Sequence, residues 1–305
     1  MDIFMTGGTG FVGSKLARDL AKRGYEIRIL TRPGERRPAG LEGRTISFIE
    51  GDPTQEGPWQ DEASRSEVFI NLAGASIFSR WNGETKRIIR ESRIQTTRHL
   101  VEAIAMREGR GTTLLSTSAV GYYGFHGDEV LNEENTAGTD FLASVAAEWE
   151  KEALEAERFG ARVVLCRFGI VLGKGGGAIQ QMIPLFNYWI GSLLGSGEQW
   201  FSWIHERDLW DIYSFLLEDP AINGPVNCSS PQPVRNHELT ESLAKALGKP
   251  LLLPAVPSFV LRLMLGEFAD TLLKGQRVYP EKLIEAGFDF SFAEIGEAVK
   301  DIVTG

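Results

Sequence analysis

The chain has 305 residues, is 43% hydrophobic and carries a formal charge of −9, which suits one large α/β domain with an appendage, or two domains sharing a cleft. An acidic field of this size disfavours nucleic acid and anionic membrane as partners. No apolar run reaches a membrane span, because the best candidate, Leu251 to Leu265, is broken by Pro254, Pro257 and Arg262.

A strand begins at residue two with no basic segment before it, so no signal peptide is expected. The two cysteines, Cys166 and Cys228, lie far apart in apolar runs, and the four histidines show no ligand spacing. Buried thiols, no metal and a cytoplasmic setting are therefore expected.

The first strand, Asp2–Thr6, runs into Gly7-Gly8-Thr9-Gly10-Phe11-Val12-Gly13. Gly8, Gly10 and Gly13 fit G-x-G-x-x-G, and Gly7, Gly10 and Gly13 fit G-x-x-G-x-x-G. A helix follows with Phe11, Val12, Leu16, Ala17 and Leu20 on one face and Gly24 at its end, then a second strand, Glu26–Thr31. A strand stops, the backbone turns sharply, and free helix N–H groups face a phosphate, which is the arrangement that holds a dinucleotide. Gly7, Thr9, Gly10, Phe11 and Val12 are expected to line it.

An NAD site usually has an acid at the end of the second strand, to take the ribose hydroxyls. Here that place holds Thr31-Arg32, with Arg36 and Arg37 close behind. A guanidinium pairs with a 2′-phosphate and gains nothing from a hydroxyl, so the residues point to NADP(H), with a solvated basic loop as the alternative.

Further strands are expected at Ile46–Glu50, Val68–Leu72, Thr113–Thr117 and Arg162–Phe168, and long helices near Glu84–Arg107 and Phe141–Arg158. Continuous apolar strands joined by helices predict an α/β fold, a Rossmann-type doubly wound parallel sheet. Asp52 follows the third strand, either bonding the adenine amino group or starting a turn. Leu72, Ala73 and Gly74 let the backbone pass close to the middle of the cofactor, and Phe168 ends the sixth strand beside it.

Beyond Gly173 the alternation fails. Gly175-Gly176-Gly177 leads into an amphipathic stretch with Ile183, Leu185, Phe186, Tyr188 and Trp189, then a strand-like Trp200–Ile204 and a helix from Asp208. A late strand at Pro225–Cys228 returns to the sheet. The expected division is a nucleotide-binding domain over 1–174 with 204–230, and a smaller C-terminal substrate or lid domain over 175–203 and 231–305. Trp189, Trp200 and Trp203 with Phe186 and Phe201 either line a hydrophobic substrate pocket or pack beneath the lid.

These stretches resemble an extended short-chain dehydrogenase/reductase. The resemblance rests on the glycine turn, on Asn71-Leu72-Ala73-Gly74, on Ser116-Thr117-Ser118-Ala119-Val120-Gly121-Tyr122-Tyr123-Gly124, and on Trp203-Ile204-His205-Glu206-Arg207-Asp208-Leu209. More narrowly, Arg167 to Ala178, Ala147-Glu148-Trp149-Glu150 and Gly275-Gln276-Arg277-Val278-Tyr279-Pro280 resemble the atypical branch labelled "epimerase family", which carries a C-terminal domain of unknown function.

The family resemblance implies a Tyr-x-x-x-Lys pair for proton transfer. Aligning the helix puts Phe141 and Val145 in those places, so the usual acid–base pair is absent. Ser118 matches the serine that bonds a substrate carbonyl, with capping of its own strand end as the alternative. Arg93 stands where most relatives carry asparagine, and there it would bind cofactor ribose or phosphate, or else lie on an exposed helix face. Tyr122, or its neighbour Tyr123, is the candidate displaced proton donor, unless it packs against the sheet; His205 is expected to be structural. What the resemblance implies is an NADP(H)-binding oxidoreductase or nucleotide-sugar-epimerase-like enzyme acting on a small molecule. The alternative is an NADP(H)-binding sensor or scaffold without turnover.

Overall fold

Parallel strands covered on both faces must be apolar throughout, and the first strand obeys this, with Ile3, Phe4, Met5 and Thr6 all buried. The computed structural model describes residues 1–41, 43–107 and 111–304; Gly305, at the end of the expected C-terminal segment, lies outside them.

The nucleotide-binding half contains β1 (Asp2–Thr6), α1 (Phe11–Lys22), β2 (Glu26–Thr31), β3 (Ile46–Glu50), α2 (Trp59–Ala63), β4 (Val68–Asn71), α3 (Gly83–Ala105), β5 (Thr112–Ala119), β6 (Val130–Leu131), α4 (Phe141–Leu154), β7 (Ala161–Phe168) and β8 (Ile170–Gly173). It is followed by α5 (Gly177–Asn187), β9 (Trp200–Phe201), β10 (Trp203–His205), α6 (Glu206–Glu218), β11 (Gly224–Cys228) and β12 (Val234–Arg235). The chain ends with α7 (Asn236–Leu247), α8 (Ser258–Leu265), α9 (Phe268–Leu273), β13 (Arg277–Val278), α10 (Glu281–Glu285) and α11 (Ile295–Thr304).

Seven strands form one sheet in the order β11-β7-β5-β4-β1-β2-β3, with every pairing parallel. The order reverses between β1 and β4, which opens a crevice at their carboxyl ends. One face packs Ile3, Met5, Leu16 and Leu20 against Leu209, Ile212 and Leu216 of α6. The other packs Phe4, Phe69 and Leu114 against Trp59, Leu100, Ile104 and Ala153. A further core joins Ile179, Phe186, Leu239, Leu243, Val299 and Ile302 over Leu172 and Trp203. Leu283 and Phe288, from the C-terminal stretch, return to the first face of the large sheet.

Two elements differ from the sequence expectation. Trp200–Ile204 is divided, because Ser202 turns aside to donate to Gln276 O at 2.8 Å and accept from Val278 N at 3.0 Å. β9 therefore pairs with β12 and β10 with β8. The sixth helix starts at Glu206, earlier than Asp208, since His205 Nδ1 accepts from Arg207 N at 3.2 Å and caps it. Among the described residues no helix is long and apolar enough to cross a membrane.

Candidate functional site

The turn after β1 is closed by contacts that exclude side chains. Gly7 has φ +69, and a Cβ there would lie 2.6 Å from the Leu72 carbonyl carbon. A Cβ on Gly13 would strike the backbone of Gly7 and Gly8. Gly10 is different: a Cβ there would meet only Gly7 O, at 3.3 Å. It is also the N-cap of α1, with no side-chain cap and no acid in the first turn. The first N–H groups of α1 are thus left for an anion approaching over Gly10.

At the end of β2, Thr31 is buried and its Oγ1 has no partner among the described residues. Arg32 is exposed and its guanidinium is held by Glu35, with Nε 3.4 Å from Glu35 Oε2 and Nη2 3.4 Å from Oε1. Glu35 carried no role in the sequence reading. Arg37 pairs with Glu50 at 3.5 Å and lies over the ring of Phe48. Asp52 Oδ1 accepts from Thr54 N at 2.9 Å and Thr54 Oγ1 at 2.7 Å, the turn-forming alternative.

Asn71 ties four elements together at the crevice floor. Its Oδ1 accepts from Thr6 Oγ1 at 2.7 Å, and its Nδ2 donates to Thr97 Oγ1 at 2.8 Å and Ser116 Oγ at 3.3 Å. The Leu72-Ala73-Gly74 turn that follows rests on Arg93, whose Cζ would lie 3.0 Å from a Cβ on Gly74. Arg93 is not on an exposed helix face. It donates to Ala75 O at 3.1 Å and Ile89 O at 2.9 Å, with Trp149 5.3 Å from its Cζ. Burial pulls its pKa down to about 10, and among the described residues no carboxylate pairs with it.

Ser118 lies near the end of β5. Its Oγ donates to Glu150 Oε1 at 2.6 Å, inside the fold. The same carboxylate takes both sides of the Arg167 fork, from Nε and Nη2 at 2.8 Å each. Arg167 Nη1 donates to Tyr123 OH at 2.9 Å, and Tyr123 OH donates to Asn227 Oδ1 at 2.8 Å. Burial pushes the Tyr123 phenol up to about 12, against the opposing effect of Arg167. Tyr122 lies over the Arg167 guanidinium at 3.6 Å. Phe141, in the place of the missing tyrosine, meets Trp81 edge-on at 5.2 Å, in a cluster with Ile89 and Phe268; Val145 is buried.

A family model described as "NAD dependent epimerase/dehydratase family" matches residues 3–228. The chain belongs to that family. A model described as a domain of unknown function (DUF1731) matches residues 256–302, which marks the atypical, epimerase-family branch. The family relatives include the epimerase family protein SDR39U1 homolog, chloroplastic, of Arabidopsis thaliana, 40% identical over 99% of this chain and 87% of its own length. Epimerase family protein YfhF of Bacillus subtilis is 36% identical over 99% of this chain and 98% of its own. Among solved structures, human epimerase family protein SDR39U1 with NADPH superposes with TM-score 0.84 at 31% identity, covering 99% of each chain.

Within this family fold, several expected residues serve packing. Phe168 meets Tyr213 edge-on at 6.0 Å and joins the first core. The ring of Phe11 is covered by the Gly173–Gly177 loop, with no room for a Cβ on Gly176. Lys15 holds that loop, pairing with Glu206 at 2.5 Å and bonding Lys174 O. The tryptophans do not form one pocket: Trp203 is buried in the core with Leu172 and Ile179, Trp200 lies 3.8 Å from the Arg235 guanidinium, and Trp189 is exposed near Lys249. The physical reason is that β9 and β10 belong to different sheets. Glu56, His99 and Glu102 bring potential ligand atoms within 4.8 Å of one another, but Glu102 already accepts from Gln60 and bonds His99. Glu150 and Arg167 lie in stretches that carry the family resemblance but had no role assigned to them, and Asn227 and Lys15 had no signal, since each finds its partner through the fold.

Proposed function

We propose that the chain is an NADP(H)-binding atypical short-chain dehydrogenase/reductase, an oxidoreductase acting on a small molecule. The observation that carries this reading is the pair of anion-seeking groups at the two ends of the crevice. Among the described residues Thr31 Oγ1 is buried and unpartnered beside Arg32, and Arg93 is a desolvated cation with no paired acid. A desolvated cation bonded only to neutral carbonyls gains from an anionic ligand. The residues therefore fit the group: Thr31 and Arg32 would hold the 2′-phosphate, and Gly7, Thr9, Gly10, Phe11 and Val12 the pyrophosphate, through backbone at Phe11. Asp52 would face the adenine through its second oxygen. Leu72, Ala73, Gly74, Arg93 and the Phe168 backbone would face the nicotinamide end.

The cofactor supplies hydride chemistry when bound. The 1–174 and 204–230 segments would form the cofactor domain and the remainder the substrate side, with the two buried free thiols supporting a reducing, cytoplasmic setting. Arg93→Ala should weaken NADPH binding by about ten-fold, the usual scale for one charge-assisted contact. Titration of intrinsic tryptophan fluorescence reads this directly, and an unchanged dissociation constant would remove Arg93 from the site.

A second reading, a non-catalytic NADP(H)-binding sensor or scaffold, is favoured by the Ser118–Glu150 bond and by Phe141. Ser118 offers lone pairs and no proton to a carbonyl while that bond stands, and Tyr122 is the remaining nearby phenol for catalysis. Ser118→Ala separates the readings: loss of NADPH oxidation at retained affinity supports turnover through the serine.

A further inference from the structure

We propose that Glu35 is an internal stand-in for the cofactor's 2′-phosphate, and that its competition for Arg32 sets how strongly the site prefers NADP(H) over NAD(H). This rests on the NADP(H) reading above and names a specificity-determining residue within it.

The local sequence builds the device. Arg32-Pro33-Gly34-Glu35 is a four-residue turn in which Glu35 N donates to Arg32 O at 3.0 Å. Proline at the second position presets φ, and Gly34 at the third has φ +74, the pattern of a type II turn. The turn brings the Glu35 side chain back over Arg32. Glu35 Oε2 then accepts from Arg32 N at 3.3 Å and from Nε at 3.4 Å, and Oε1 accepts from Nη2 at 3.4 Å. One internal anion thus takes the backbone N–H and both sides of the guanidinium of Arg32, at the end of β2.

Burial alone would raise the Glu35 pKa, but the hydrogen bonds and charge of Arg32 outweigh it and hold the carboxyl below its ordinary range. Glu35 is therefore ionised at neutral pH. Nearby, Arg37 is engaged by Glu50 and Phe48.

The chemistry of the two cofactors then divides. A 2′-phosphate carries close to two negative charges, so it must take Arg32 from Glu35 and then remain beside a displaced carboxylate. The Arg32–Glu35 pair is exposed and its bonds are long, so the exchange is feasible, but it diminishes the net gain. A ribose 2′-hydroxyl is a donor, and a carboxylate already seated there accepts from it. Glu35 therefore narrows the NADP(H) preference that Arg32 alone would give.

The test uses the full chain and measures dissociation constants for NADPH and NADH by fluorescence titration in wild type, Glu35→Gln, Glu35→Ser and Arg32→Gln. Both Glu35 variants should raise the NADPH-over-NADH preference by about ten-fold, through tighter NADPH and weaker NADH. Arg32→Gln should abolish the preference. A preference within about two-fold of wild type in both Glu35 variants, while NADPH still binds, overturns the role of Glu35 and leaves the cofactor reading standing. Failure of the wild type to bind either cofactor overturns the cofactor reading, and this inference with it. Glu35 lies on a surface turn, and Glu35→Ser provides the second variant should Glu35→Gln perturb that turn.

Discussion

A hydroxyl that donates its hydrogen bond to a carboxylate cannot donate it to a substrate oxygen at the same time, and Ser118 is in that position. Glu150 is fixed by both arms of Arg167, whose pKa is raised, burial being outweighed by the bonds and charge of Glu150. The proton of Ser118 is the third bond that this carboxylate receives. Buried charges survive only when paired and fully hydrogen-bonded, so the network ties the ends of β5 and β7 to α4. A second residue-scale case is His205, buried against Phe292 with ring centroids 3.8 Å apart. Burial brings its pKa down to about 4 from its ordinary 6.5, against the pull of Asp301. The neutral ring is thus favoured by folding, and stability is lost as pH falls from 6.5 towards 4. Asp208 works in the opposite sense: burial pushes it up to about 6, so its contribution is lost as pH rises through that value. His205→Asn keeps a helix-capping acceptor and has nothing to protonate. Its melting temperature should therefore fall less than that of the wild type between about pH 7 and pH 5, and equal falls in thermal melts would take His205 out of the acid response.

At the scale of elements, α1 is held from above by a loop as well as from below by the sheet. Gly173, Gly176 and Gly177 all lie against Phe11, the first residue of the helix. Gly176 has extended φ of −172, so alanine there would be acceptable to the backbone and unacceptable to the Phe11 ring. Gly176→Ala should destabilise by about 1–3 kcal/mol, the usual range for overpacking. Phe11→Leu should relieve part of that loss in the double variant, which urea unfolding of the four proteins measures as a coupling energy. Strict additivity would show that the loop does not press on the helix. This contact also shows what sequence could reveal. The glycine turn, the continuous apolar strands and the parallel sheet were legible, because each depends on neighbours within a few residues. Arg32 was legible as a cation at the end of β2, and the Pro33-Gly34 turn that brings Glu35 to it was equally local but lacked a motif to mark it. The Ser118–Glu150–Arg167 network was not legible, because its members come from β5, α4 and β7 and meet only when the sheet forms. The division of Trp200–Ile204 was hidden for the same reason: Ser202 is drawn aside by Gln276 and Val278, far along the chain.

Over the whole molecule, the C-terminal segment is attached at several places, and the aromatic one reaches Phe141. Phe268 of α9 lies 5.6 Å from Trp81 and 5.9 Å from Phe78, and Trp81 in turn contacts Phe141. An aromatic cluster of this kind is held by its buried area and by edge-to-face geometry. Other attachments include the β13–β6 pairing and Leu283 in the first core, both of which are independent of Phe268. Phe268→Ala should therefore destabilise by about 3–5 kcal/mol, the range for removing a buried phenylalanine, while leaving those two attachments in place. Limited proteolysis should then cut first within α8 and α9, which rest on this cluster through Leu265 and Leu272. Cleavage confined instead to the glycine turn or to α11 would mean that the cluster does not anchor α8 and α9, and that Phe141 is covered for packing alone.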